Sequence, residues 1–200
     1  LFFSINNFML KSKIPIYLAS KSPRREKLLK QLGIKFKTQS LDFDENISDG
    51  ENPIRTVKRL ALHKSDYAVK VIKKGIIITA DTIVVLDKKI IGKPINKKDA
   101  YQILSNLSGR THTVYTGFAI RNTKDNKFII DYEKTKVTFR KLTKKEIIDY
   151  IRTGSPMDKA GAYGIQDDFG AVFVKRIEGC YYNVVGLPLP KIYTSLLNVL

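Results

Sequence analysis

The residue whose setting most demands an explanation is Asp81, the single carboxylate in the apolar run Ile76-Ile77-Ile78-Thr79-Ala80-Asp81-Thr82-Ile83-Val84-Val85-Leu86. A charge taken into such a run must be paired, hydrogen-bonded or bound to a metal, because burial of an isolated carboxylate is costly or forces protonation. Asp81 is therefore either a structural ion pair or turn cap, or a group held for chemistry. Lys64 raises the same question from a helix. Val57, Leu60, Ala61, Ala68 and Val71 form one apolar stripe after Pro53, and Lys64 lies within it. It either points inward or snorkels to the edge.

Charged residues recur at three other places, two basic and one acidic. Ile16-Tyr17-Leu18-Ala19 followed by Ser20-Lys21-Ser22-Pro23-Arg24-Arg25 reads as a strand, a turn and a helix N-terminus, where unpaired backbone N–H groups and the helix dipole favour an anion such as phosphate. Arg24 and Arg25 oppose that dipole at a cost of ~0.3–1 kcal/mol each, which suggests a site, although a solvated basic turn has the same composition. Ile90-Ile91-Gly92-Lys93-Pro94 forms a hairpin that returns Lys93 toward Asp81. Glu45, in Asp42-Phe43-Asp44-Glu45, offers a second oxygen ligand for a hard cation such as Mg²⁺, or else belongs to an exposed acidic loop.

These side chains require elements to carry them. Extended segments are predicted at Ile16–Ala19, Gly75–Leu86, Ile90–Ile91, His112–Arg121, Lys127–Arg140, Ala171–Arg176 and Tyr181–Val185. Helices fall between them. Ser22 and Pro23 open one that ends before Gly33, Asn52-Pro53 opens another, Asn96 to Leu107 forms a third, Thr143 and Glu146 make a capping box for one ended by Gly154, and a last runs from Pro190. The alternation specifies an α/β fold.

The chain has 200 residues, 43% of them hydrophobic, enough for a full core in one domain. No apolar run reaches the roughly 18 residues of a membrane helix, and Leu1–Leu10 lacks the order of a secretory signal, so a soluble cytoplasmic protein is expected. Residues 1 to 13 read as an extension, with a start that is alternative or misassigned, and residues 14 to 200 as one domain. One cysteine, Cys180, and two histidines, His63 and His112, exclude an internal disulfide and a typical zinc cluster. The net charge of +17 attracts phosphates on a nucleotide or on nucleic acid. Against nucleic acid as the main partner, no helix-turn-helix, zinc-finger or RNP-like aromatic motif is found.

Six ordered blocks resemble the Maf family of nucleoside triphosphate pyrophosphatases, also called septum-formation proteins. They are Leu18-Ala-Ser-Lys-Ser-Pro-Arg-Arg25, Ala80-Asp-Thr-Ile-Val-Val85, Ile91-Gly-Lys-Pro94, Leu107-Ser-Gly-Arg-Thr-His112 with Tyr115-Thr-Gly117, Asp158-Lys-Ala-Gly-Ala-Tyr-Gly-Ile-Gln166, and Glu178-Gly through Val185-Gly-Leu-Pro-Leu189. The resemblance implies a mixed, curved β-sheet flanked by helices, two lobes with a central nucleotide cleft, and a homodimer. It implies metal-dependent hydrolysis between the α- and β-phosphates with Mg²⁺ or Mn²⁺. Carried over by motif, Asp81 is the catalytic base and a metal ligand, Glu45 a metal or water partner, and Ser20, Arg24, Arg25, Lys64 and Lys93 the phosphate-side groups.

Within the family, Arg24, Thr82 and Gln166 match the branch acting on dTTP and UTP, whereas the branch preferring 7-methyl-GTP carries an aromatic residue, Gln and Glu there. A neutral Gln166 offers both a donor and an acceptor to a uracil or thymine edge. The implied task is removal of modified pyrimidine nucleotides, with a link to cell-division arrest. The competing expectation is a basic nucleic-acid-binding protein without catalysis.

Overall fold

The computed structural model of the protein describes residues 10, 12–41, 50–125, 127–166 and 169–200. Its elements run β1 (Ile16–Leu18), α1 (Pro23–Gln31), β2 (Lys37–Thr38), α2 (Pro53–Val71), β3 (Ile76–Leu86), β4 (Lys89–Ile91), α3 (Lys97–Leu107), β5 (Thr111–Asn122), β6 (Phe128–Phe139) and α4 (Lys144–Arg152). Three short 3₁₀ turns then precede β7 (Val174–Glu178), α5 (Tyr181–Val185) and α6 (Leu189–Val199). The helix starts follow the cap chemistry read from the sequence. Ser22 accepts a bond from the Arg25 backbone, Asn52 from Ile54 and Arg55, Asn96 from Asp99, and Thr143 and Glu146 close a reciprocal box. None of these helices is long and apolar enough to cross a membrane.

Among the described residues, seven strands form one mixed sheet in the order β2-β1-β3-β5-β6-β7, with β4 also pairing β3. β1 pairs in parallel with β2 and β3, and the remaining ladders are antiparallel. Alternation along β3 sends its two sets of side chains to two different covers. On one face, Ile77 packs with Ala68 of α2 and with Ile72 just past its end, Thr79 donates to the Ala61 carbonyl at 2.8 Å, and Ile83 and Val85 pack with Val57. On the other, Ile76, Ile78 and Ala80 join a core with α1 and α6, while Val84 and Leu86 join a second core with α3 and α4.

α2 lies on the sheet at a glycine. Gly117 pairs with Asp81 in the β3–β5 ladder, so both face α2. A Cβ at Gly117 would fall 2.3 Å from the Val57 carbonyl oxygen, so a side chain there would force the helix off the sheet. Lys64, two turns beyond Val57, is thereby brought down onto Asp81.

Two segments with strand-like composition fold otherwise, and one short strand carries no sequence pattern. Tyr181–Val185, rich in β-branched and aromatic residues, is the helix α5, closed by Gly186 at φ 116°. Tertiary bonding overrides propensity there: Asn183, fully buried, donates to the Val114 carbonyl at 3.1 Å and to Thr135 Oγ1 at 2.9 Å. Phe169–Phe173 is a 3₁₀ turn that buries Phe173 against Tyr150, and the strand predicted from Ala171 begins only at Val174. β2 has two exposed residues, too few to leave a pattern.

Candidate active site

β3 is paired unevenly along one edge. β1 covers Ile76 to Ile78 and β4 covers Val84 to Leu86, and no described strand pairs that edge in between. Asp81 sits in the middle of this gap. A cavity of about 440 Å³ opens there, lined by Ser20, Arg24, Arg25, Lys64, Asp81, Thr82, Lys93, Asp158, Lys159, Tyr163, Gly164 and Gln166, among others. Every predicted site residue that the structure describes lines this one cavity. Glu45 lies outside the described residues.

The floor is an ion pair. Lys64 Nζ donates to Asp81 Oδ1, and the two side chains are 8% and 7% exposed. The inward alternative for Lys64 therefore holds over snorkelling. Loss of one partner would strand the other as a desolvated charge, which makes such a pair costly to break.

Arg25 donates to three uncharged groups. Its Nε donates to the Gly186 carbonyl at 2.8 Å, Nη1 to Ser20 Oγ at 3.4 Å and Nη2 to Thr82 Oγ1 at 3.0 Å. Thr82 and Thr116 share a bond of 2.9 Å, and Thr116 donates to the Asn183 carbonyl at 3.0 Å. A hydroxyl has one proton, so Thr116, having given its own to Asn183, must receive that of Thr82. The donations run in one direction from Arg25 through Thr82 and Thr116 to α5, and such chains polarise cooperatively. Thr82 thus touches Arg25 directly, which the sequence did not reveal.

Arg24 crosses the cavity mouth. Nη1 donates to Asp158 Oδ2 at 2.7 Å and Nη2 to the Asp158 carbonyl at 3.3 Å. Lys159 Nζ donates to Asp158 Oδ1 at 2.9 Å. Burial alone would raise the Asp158 carboxyl, but the bonds from Lys159 and Arg24 outweigh it and hold the group below the usual range. Asp158 and Lys159 open the block Asp158–Gln166, and neither is among the predicted site residues. The signal available was a pair of opposite charges beside a Gly/Ala-rich turn.

The wall carrying Gln166 follows the turns Ser155–Asp158 and Ala160–Ala162. Gly161 and Ala162 take successive positive φ values of 73° and 59°. For the alanine this costs about 1–2 kcal/mol and persists only where neighbours enforce it. Gly161 N donates to the Gly92 carbonyl at 3.0 Å, which ties the wall to the hairpin bearing Lys93. That hairpin turns through Asp87 and Lys88, at φ 49° and 66°.

Among the described residues, no group of three or more His, Cys, Asp or Glu side chains could hold a metal ion. One carboxylate, Asp81, is on the cavity floor. This donor set fits a hard cation that arrives with phosphate oxygens, since Mg²⁺ is commonly held by one or two carboxylates plus substrate and water.

Residues 15–199 match a family model described as Maf-like protein. Among curated relatives, a dTTP/UTP pyrophosphatase of Desulforamulus reducens is 44% identical over 91% of this chain and 95% of its own length. One from Thermoanaerobacter sp. (strain X514) is 48% identical over 90% and 94%, and one from Dictyoglomus thermophilum is 48% identical over 93% and 96%.

Proposed function

The chain belongs to the Maf family, and from that premise we propose that it is a nucleoside triphosphate pyrophosphatase that hydrolyses dTTP and UTP to the monophosphate and pyrophosphate. The observation that carries this reading is the convergence of Ser20, Arg24, Arg25, Lys64, Asp81, Thr82, Lys93 and Gln166 on one cavity. Relatives sharing 44 to 48% of their residues and bearing that name support it. A concave site with its cations turned inward favours a small polyphosphate over nucleic acid, which would be met by a basic face or stripe.

In this reading Asp81 orients the attacking water and takes its proton at the carboxylate while Lys64 fixes the other side of the pair. The water oxygen bonds to the α-phosphorus, the α,β-bridging bond breaks and pyrophosphate leaves. Arg25, Lys93 and the loop from Ser20 stabilise charge on the phosphate oxygens, so the catalysis is largely positioning and electrostatics. A divalent cation, Mg²⁺ or Mn²⁺, held by Asp81 and the phosphates, with Glu45 as a second ligand or water partner, supplies further neutralisation of the triphosphate. Gln166 reads the uracil or thymine edge, and Arg24 and Thr82 complete the pyrimidine set.

Residues 14–200 act as one domain in this reading, with its two lobes corresponding to the two cores that flank the cavity. A homodimer, a cytoplasmic location, removal of modified pyrimidine nucleotides and a link to cell-division arrest complete the proposal. Asp81→Asn tests it. The folded variant is expected to lose at least ~10³-fold in dTTP turnover, and undiminished activity would reject Asp81 as the catalytic group.

A further inference from the structure

His112 belongs to the block Gly109-Arg-Thr-His112 and has no part in the mechanism above. It is 2% exposed in β5, on the same sheet face as Val114 and Val137. Its Nε2 shares a 2.8 Å bond with Tyr163 Oη, and its ring meets Phe139 and Tyr163 edge to face at 5.0 and 5.3 Å. Nδ1 is buried without a hydrogen-bond partner. Burial pushes the imidazole down to about 4, so near neutral pH it carries no charge. The simplest arrangement puts the one proton on Nε2, donated to Tyr163, and leaves the less demanding lone pair of Nδ1 in the apolar pocket.

Tyr163 directly follows Gly161 and Ala162, the two residues with positive φ. It lines the cavity and lies three residues before Gln166. The turn is pinned on both sides: Gly161 N binds the Gly92 carbonyl, and Gly164 N donates to Tyr150 Oη at 3.2 Å. Between those pins, the His112–Tyr163 bond joins the left-handed turn to a central strand.

We propose that His112 is a positioning residue for nucleobase recognition: through the Tyr163 hydroxyl it fixes the turn that carries Gln166 and so sets pyrimidine selectivity without touching the substrate. This rests on the reading of Gln166 as the base-contacting group. It explains why a buried polar side chain, with one nitrogen left unsatisfied, occupies a place that Leu would fill at no polar cost.

The test uses the full chain with dTTP, UTP, CTP and dGTP, measuring kcat and KM for the wild type, Tyr163→Phe, His112→Leu, the double variant and His112→Gln. Tyr163→Phe removes one oxygen and is the variant least able to perturb folding. It is expected to lower the kcat/KM preference for dTTP over dGTP about 5- to 10-fold, with the loss carried mainly by KM. His112→Leu should do the same, the double variant should be no worse than either single, and His112→Gln should restore at least half of the preference, because its amide can again reach Tyr163. If His112→Leu does not fold, the Tyr163→Phe result decides alone. An unchanged preference in folded variants, additive losses in the double variant, or losses confined to kcat would each overturn the proposal. A wild type without dTTP hydrolysis would instead reject the pyrophosphatase reading, so the two failures are distinguishable.

Discussion

The floor and the wall of the cavity are built in opposite ways. The floor is regular: Asp81 is one position of an eleven-residue strand and Lys64 one position of a nineteen-residue helix, so strand alternation and helix periodicity aim them at each other once Gly117 lets the helix down onto the sheet. The wall, over residues 155–166, carries the 3₁₀ turns Ser155–Asp158 and Ala160–Ala162 with two successive left-handed residues, and Asp158, Gly161, Tyr163 and Gly164 are each held by a contact to a distant element. The division matches the work assigned to each. Groups that must meet a reacting phosphorus gain from rigid supports, whereas selectivity can be altered on a loop without disturbing the sheet.

The comparison is tested most severely at the floor. Lys64→Met should lower stability by about 3 kcal/mol, because the Asp81 carboxylate stays buried without its cation, and should lower dTTP turnover ~100-fold. Chemical denaturation and steady-state kinetics read both, and a stable, active variant would show that the pair is incidental. The joint between floor and wall has a pH signature. His112 is held at about 4 in the folded protein, against a usual value of roughly 6.5 when unfolded. Between those values the unfolded chain binds a proton that the folded chain refuses. The stability present above pH 6.5 is therefore lost as pH falls toward 4, by about 3 kcal/mol. Denaturation midpoints measured across that window should show the slope in the wild type and a shallower one in His112→Gln.

Changes confined to the wall should be smaller and should leave stability alone. Gln166→Ala is expected to lower kcat/KM for dTTP about 10-fold, the value of one or two base contacts, with the melting temperature unchanged. Equal losses for all nucleotides would contradict its role in recognition. Asp158→Asn should move stability by less than ~1 kcal/mol, since that carboxylate is 60% exposed and paired in solvent. A larger effect would mean that the Arg24 bridge across the mouth holds the wall as firmly as buried contacts do.

The same contrast explains what the sequence disclosed. Asp81 was legible because a charge in an apolar strand has few explanations, and Lys64 because a helical stripe has a measurable phase. Caps at Ser22, Asn52, Asn96 and Thr143 are local chemistry, and the helices begin where they were read. The Arg24–Asp158 pair spans 134 residues of sequence and the His112–Tyr163 pair 51, and no local pattern announces either. Tyr181–Val185 misled because five residues of strand-like composition are turned into a helix by the bonds of Asn183 to Val114 and Thr135. Gln166 was found only through the resemblance, since nothing about a glutamine after Gly164-Ile165 is physically unusual.

The central claim is that this cavity splits the α,β-bond of pyrimidine triphosphates. The most direct measurement incubates the purified chain and Mg²⁺ with dTTP, UTP, CTP, dGTP and ATP separately, and quantifies monophosphate, pyrophosphate and orthophosphate. Equimolar monophosphate and pyrophosphate are expected from dTTP and UTP, with purine nucleotides turned over at least ~10-fold less efficiently. Release of orthophosphate as the primary product, or purines hydrolysed as well as dTTP and UTP, would contradict it.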